Sequence, residues 1–322
     1  MVNEQVHRTV HEHETDAPAD TVYALLADAV RWPLYFPPNV HVRQLESTGD
    51  TERLRMWATA NGQVKSWTSR RTLDPARRRI EFRQEVSAAP VASMGGTWIV
   101  EALGDARAKV TLLHDFTVLG TGAEYAENVA WVERAVDTNS RAELANLAGL
   151  VQGWQQLDEL TLSFEDSVHV DGPADLVYDF LYRAQDWPER VPHVDRLDLT
   201  EDEPGVQVMA MDTRTADGSV HTTESVRVCF PDELRIVYKQ TATPALMAAH
   251  TGCWTLTPAE NGGVTVTSQH SVVLREEPIQ KVLGEGADIP RARAYVREAL
   301  GRNSTATLKL AKNFAETTTP VS

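Results

Sequence analysis

The sequence predicts an α+β protein of two tandem domains, 1–155 and 156–322. Each is a curved antiparallel sheet wrapped around one long C-terminal helix, with a cavity between the two. Three observations carry this. The chain repeats itself: residues 16–33 and 171–188 share ten of eighteen identities, and residues 62–75 return as 218–231 with Gly, Val, Ser, Arg and Pro coinciding at an offset of 156. A period of that size is a whole domain rather than a solenoid unit. Within each copy the pattern runs strand, short helix, about six alternating strands, long helix. Finally, polar residues recur on strand faces that are otherwise apolar, which a filled core rejects and a pocket uses.

Residues 6–14 alternate as a strand. Residues 19–28 carry Val22, Leu25 and Leu26 at helical spacing after a proline, and Trp32-Pro33 ends the segment because proline disfavours helix at the residue before it. Strands follow at 39–47 and 52–58, with a hairpin turn at Ala60-Asn61-Gly62. The next strand places Lys65, Trp67, Ser69 and Arg71 on one face. Residues 79–86 alternate with Ile80, Phe82, Gln84 and Val86 inward, residues 87–96 read as a loop, and 97–102 with 108–118 form a further hairpin. A helical pattern spans 123–154. The second copy begins with a strand at 160–170 and closes with a helix over about 291–315, entered through a longer segment at 274–290.

Composition narrows the function. A net charge of −15 argues against nucleic acid and against an anionic membrane surface. No apolar run is long enough to span a bilayer, and the first residues contain no apolar signal core. Two cysteines, Cys229 and Cys253, exclude a disulfide framework and point to free thiols in a reducing cytoplasm. His7, His11 and His13 share strand parity but lack the helical spacing of a zinc signature, so they read as an exposed or pocket-edge strand face, and no metal or other cofactor is expected.

The candidate chemistry lies in a repeated triplet. Arg71, Gln84 and His114 match Arg227, Gln240 and His270; arginine and histidine are 43 residues apart in both copies, and Trp98 matches Trp254 at the same offset as the glutamines. A buried arginine can equally be a structural ion pair, and a histidine on an apolar face can be a satisfied core residue.

On these residues the chain resembles the di-domain aromatase/cyclases of bacterial type II polyketide synthases, within the START-like helix-grip superfamily. The motifs that carry the resemblance are Trp32-Pro33-Leu34-Tyr35-Phe36-Pro37, Trp67-Thr68-Ser69-Arg70-Arg71 with Leu73-Asp74-Pro75, Gly95-Gly96-Thr97-Trp98, and Asn139-Ser140, repeated as Asn303-Ser304. The resemblance implies tandem helix-grip domains and catalytic roles for Arg71, His114, Arg227 and His270. It implies a substrate-binding wall of Trp32, Tyr35, Phe36, Trp67, Ser69, Gln84, Trp98 and Asn139, and of Ser225, Gln240, Trp254 and Asn303 in the second copy. Thr223 replaces Trp67 there and Val191 replaces Phe36, so the second pocket should differ in shape.

The implied activity is aldol cyclisation and dehydration of a carrier-bound poly-β-ketone to the first aromatic ring. Partners would be an acyl carrier protein and other synthase components, with Arg53, Arg55 and Arg70 as a basic patch for docking. A guanidinium stabilises enolate or alkoxide oxygen, histidine moves protons near neutral pH, and an enclosed cavity supplies proximity. The alternative is a hydrophobic-ligand carrier of the same fold with no chemistry.

Overall fold

The computed structural model describes residues 5–152, 156–214, 218, 220–260 and 262–318. The chain divides into two compact units, Met1–Leu157 and Asp158–Ser322, and each contains one seven-stranded antiparallel sheet.

In the first unit the strands are β1 (His7–Thr15), β2 (Asn39–Thr48), β3 (Thr51–Ala60), β4 (Gln63–Asp74), β5 (Arg79–Val86), β6 (Val91–Gly104) and β7 (Arg107–Val118). Their order is β1-β7-β6-β5-β4-β3-β2, so β1 and β2, consecutive in the chain, are the two edges. Between them run α1 (Ala19–Ala27) and α2 (Trp32–Tyr35). From β2 to β7 the sheet is a meander. The turn Asn61-Gly62 between β3 and β4 takes left-handed φ values of 48° and 77°, the residue pair that a two-residue hairpin demands.

The long helix α3 (Gly122–Gln152) packs on β1 and β7. It buries Val132, Val136, Ser140, Leu144, Leu147 and Val151 at helical spacing. That stripe meets two separate apolar clusters. Leu144, Leu147 and Val151 join α1, Trp32, Trp98 and Leu112, while Val132 and Val136 join Phe116 and Val118. The cavity lies where Ser140 and Asn139 interrupt the stripe.

The second unit repeats the plan. Short α4 (Leu157–Leu160) leads into β8 (Thr161–Val170), then α5 (Ala174–Tyr182) and α6 (Trp187–Arg190). The sheet continues through β9 (Val194–Glu203), β10 (Val206–Arg214), β11 (Val220–Phe230), β12 (Arg235–Ala242), β13 (Met247–Pro258) and β14 (Val264–Leu274), in the order β8-β14-β13-β12-β11-β10-β9. Helix α8 (Ile289–Thr317) closes it. Asp288 caps that helix, accepting from the Arg291 backbone N–H at 3.0 Å, with proline in its first turn.

Several expectations need correction. The predicted loop 87–96 is mostly strand, because β6 starts at Val91 and pairs with β7. Val86, expected inward, is 59% exposed at the end of β5. The segment 274–290 holds a further helix, α7 (Ile279–Leu283). The predicted end of the first long helix, Trp154, lies outside the described residues. Cys229 and Cys253 sit on β11 and β13, separated by β12, and are free thiols.

Candidate active site

The cavity of the first unit has a volume of about 160 Å³. Trp32, Trp67, Phe82 and Trp98 form its apolar wall, and Ser69, Arg71, Gln84, His114 and Asn139 are its polar points. Phe82 reaches the wall because Gly96 opposes it across β5 and β6. A Cβ at Gly96 would stand 2.6 Å from Phe82 Cζ and 2.0 Å from the Leu113 carbonyl oxygen. Lys65 and Trp131 also line the space, the ammonium 5.7 Å from the indole centroid.

Arg71 is 2% exposed. The Asn61-Gly62 turn sets a register that places Glu52 directly opposite it. Its Nε donates to Glu52 Oε1 at 2.5 Å, and Nη2 also pairs with that carboxylate. Nη1 donates to the Leu26 carbonyl at 3.2 Å and Nη2 to the Ala27 carbonyl at 2.5 Å. These are carbonyls at the C-terminal end of α1, where a cation is favourable. The guanidinium carbon lies 5.1 Å from the Trp32 ring centroid. Arg71 is therefore an ion-paired anchor as well as a cavity-lining cation. Burial pulls its pKa down and Glu52 opposes that.

His114 is different. Its Nδ1 is enclosed without a hydrogen-bond partner, and Nε2 is left to face the cavity. Its ring meets Phe82 edge-on at 5.5 Å. Burial, and to a lesser degree His11, lowers its pKa to about 4, so it is neutral near pH 7. Gln84 has only Met94 Sδ as a weak acceptor for its NH₂, at 3.6 Å, and its Oε1 is enclosed without a partner. Ser69 donates to the Arg83 carbonyl at 3.1 Å, and Asn139 to the Thr59 carbonyl at 2.9 Å. Tyr35 and Phe36, expected in the wall, stand behind it: both are at most 2% exposed, and Phe36 stacks on Trp98.

The second unit fills the matching place with its own side chains. Gln240 Oε1 lies 2.9 Å from His250 Nδ1, His250 Nε2 lies 3.0 Å from His270 Nδ1, and His270 Nε2 lies 3.2 Å from Ser268 Oγ. With Gln240 Oε1 as the acceptor and both rings neutral, Ser268 donates to His270, His270 to His250, and His250 to the glutamine oxygen, while Tyr238 OH stands 3.0 Å from the shared His270 Nδ1. Both rings are held neutral by burial, His270 at about 4 and His250 at about 3. The residue predicted as a proton carrier, His270, thus has both nitrogens committed. His250 replaces Met94 at the repeat offset, so repeat matching could not find it.

Arg227 is 1% exposed, its Nη2 donates to the Leu181 carbonyl, and it lies 5.5 Å from the ring centroids of Trp187 and of Trp254. Its cross-strand neighbour is Gln207 instead of a carboxylate, and Nε and Nη1 have no hydrogen-bond partner. The nearby Glu201 instead accepts from Gln207, Tyr182 and the Gly205 backbone. Ser225 is buried opposite Gln240. Asn303, predicted to bind substrate, is exposed on α8, and Ser304 is the buried member of that pair.

The expected docking patch is also largely spent. Arg53 donates to Glu85 at 2.6 Å, Arg70 to the same carboxylate at 2.8 Å, and Arg55 sits 4.9 Å from the Trp57 ring centroid. Of the three histidines read as an exposed or pocket-edge face, His13 is exposed, while His7 and His11 are half-buried against α3, bonded to Tyr125 and Asp137. Among the described residues no cluster of potential metal ligands forms, and no helix is long and apolar enough to cross a membrane.

Comparison with known proteins agrees with the duplication. The family described as polyketide cyclase / dehydrase and lipid transport matches residues 6–152 and again 161–309. The chain is 44% identical to the granaticin polyketide synthase bifunctional cyclase/dehydratase of Streptomyces violaceoruber, covering 97% of this chain and 95% of the relative. It is 44% identical to the actinorhodin counterpart of Streptomyces coelicolor, covering 94% and 95%. Among solved structures it is similar to the di-domain ARO/CYC BexL of the BE-7585A biosynthetic pathway, at 54% identity and TM-score 0.84, covering 97% of this chain and 100% of that one. It is similar also to StfQ of the steffimycin pathway, at 34% identity and TM-score 0.80, covering 96% and 98%.

Proposed function

This chain belongs to the polyketide cyclase/dehydrase family, and from that premise we propose that it closes and dehydrates a ring on a carrier-bound poly-β-ketone, giving the first aromatic ring, with the first unit's cavity as the reaction chamber. The observation that carries the reading is the contrast inside that cavity. Its walls are tryptophan and phenylalanine, yet Gln84 Oε1 has no partner in the protein and His114, which lines the same space, is hydrogen-bonded to no protein group at Nδ1 behind it.

The walls fold a flexible chain so that one methylene faces one carbonyl, which can contribute about 7–11 kcal/mol in well-oriented cases. Arg71, held by Glu52 and by the end of α1, keeps one Nη1 hydrogen uncommitted and sets a fixed cation beside the reacting oxygens. His114, neutral through burial, takes the proton from the methylene flanked by two carbonyls and later returns one to the departing hydroxyl. Gln84 holds a carbonyl without titrating. An acyl carrier protein is the partner that delivers the substrate, and Lys65 is a cation at the cavity available to it.

The test is reconstitution with the synthase components, comparing product profiles of the wild type with His114→Leu and Gln84→Leu. Accumulation of uncyclised or hydroxylated shunt products is expected. An unchanged profile in both variants favours the carrier reading, for which an apolar cavity alone suffices.

A further inference from the structure

Behind His114, on the side away from the cavity, β1 and α3 bring together polar groups that the reaction above does not use. Thr9 is the cross-strand partner of His114, and His11 lies one diagonal step along the same face. Thr9 Oγ1, His11 Nδ1 and His114 Nδ1 are all enclosed, and none has a hydrogen-bond partner in the protein. Three unsatisfied polar atoms on adjoining positions of one sheet face are the surroundings of a buried water, which needs two to four polar partners. The other nitrogen of His11, Nε2, lies 3.0 Å from Asp137 Oδ1; the His11 side chain is 9% exposed and that of Asp137 49%.

The repeat supplies an internal comparison. In the second unit the place of Thr9, opposite His270, is taken by Phe164, whose ring stacks on the histidine at 5.0 Å. The place of His11 is taken by Asp166, bonded by two nitrogens of Arg297. The fold thus accepts an apolar ring and a closed ion pair at these positions, so it does not itself demand the open polar group of the first unit.

We propose that Asp137, His11 and a water held by Thr9 form a proton relay that connects His114 to solvent. The inference rests on the reading of His114 as the proton carrier of the cavity. As Nε2 of His114 accepts a proton from the substrate carbon, whose electron pair remains on the enolate, Nδ1–H of His114 passes to the water. The water passes a proton to Nδ1 of His11, and Nε2–H of His11 passes to Asp137 and out to solvent. The His114 ring changes tautomer and stays neutral, which avoids an imidazolium in a site that strongly disfavours one. His11 takes the transient charge beside a carboxylate. The other groups around the relay are His7, bonded to Tyr125 OH at 2.9 Å and 3.8 Å from Glu133, Arg141 on Asp137, and Asp115 next to His114. His11 and Asp137 are positioning and relay residues, since neither touches the substrate.

The test combines two measurements on the full chain. Long-range ¹⁵N–¹H spectra of histidine-labelled protein should show His114 protonated on Nδ1 and His11 on Nε2, and Thr9→Phe, which copies the second unit, should shift the His114 Nδ1 signal. In the reconstituted synthase, His11→Leu should lower kcat for dehydration about 100-fold with KM unchanged. Added imidazole should restore part of it. Wild-type turnover in His11→Leu, or His114 carrying its proton on Nε2, overturns the relay. If His114→Leu is inert while His11→Leu is active, only the relay fails; if His114→Leu is itself active, the reading beneath it fails.

Discussion

Removing the Glu52 carboxylate tests whether Arg71 is chiefly an anchor. Both groups are buried, the guanidinium at 2% and the glutamate at 8% exposure. Glu52→Ala leaves the cation with two backbone carbonyls and no counter-charge. Breaking a buried pair from one side costs about 3–5 kcal/mol. With a urea slope of about 2 kcal/mol per molar for a domain of this size, the unfolding midpoint of the first unit falls by about 2 M. Glu52→Gln keeps the shape and one acceptor, as Gln207 does beside Arg227, and loses about 1–3 kcal/mol. Tryptophan fluorescence reports this transition well, because six of the eight tryptophans belong to the first unit. A shift below about 0.5 M in Glu52→Ala, less than about 1 kcal/mol, would refute the ion-pair anchor and return Arg71 to the cavity as a free cation.

The two arginines should respond differently to the same change. Arg71→Met strands Glu52 and destabilises the first unit by about 3–5 kcal/mol, whereas Arg227→Met removes a cation with no carboxylate bonded to it and costs the second unit less than about 1 kcal/mol; equal losses in the urea midpoints would contradict this. His270 is neutral when folded, at about 4 against about 6.5 unfolded, so its contribution is intact above pH 6.5 and shrinks as pH falls toward 4, by up to about 3 kcal/mol. Hydrogen exchange of β14 amides from pH 7 to 4.5 should show this loss, and His270→Leu should reduce it, leaving the share of His250, which burial also holds neutral. Gly96→Ala places a methyl 2.0 Å from the Leu113 carbonyl and should unfold the β5–β7 region, seen as lost exchange protection there with the second unit unaffected.

How much of the site was legible depended on the kind of signal. Alternation and helical spacing are local properties, and duplication doubles them, so the sheet, the closing helices and the inward positions of Arg71, Gln84 and His114 followed from the chain alone. Glu52 was within reach, since a two-residue turn at Asn61-Gly62 dictates its pairing with Arg71. His250 was not, because it has no counterpart in the first copy. Asn303 shows the limit of repeat matching: the same dipeptide on a second long helix turned its asparagine to solvent.

The sequence by itself determined two copies of one architecture and the residue types on their inner faces, because strand parity and helix periodicity leave little freedom. Only the tertiary structure decided what those residues do. Hydrogen-bond partners come from strands and helices distant in the chain, so matched triplets acquired different fates. Arg71 met Glu52 while Arg227 met Gln207, and His114 opened on a cavity while His270 was closed in by His250, Tyr238 and Phe164. Two changes, Met94 to His250 in the wall and Thr9 to Phe164 beside the histidine, commit both nitrogens of His270 where His114 is left open, and no reading of a single strand could weigh them together.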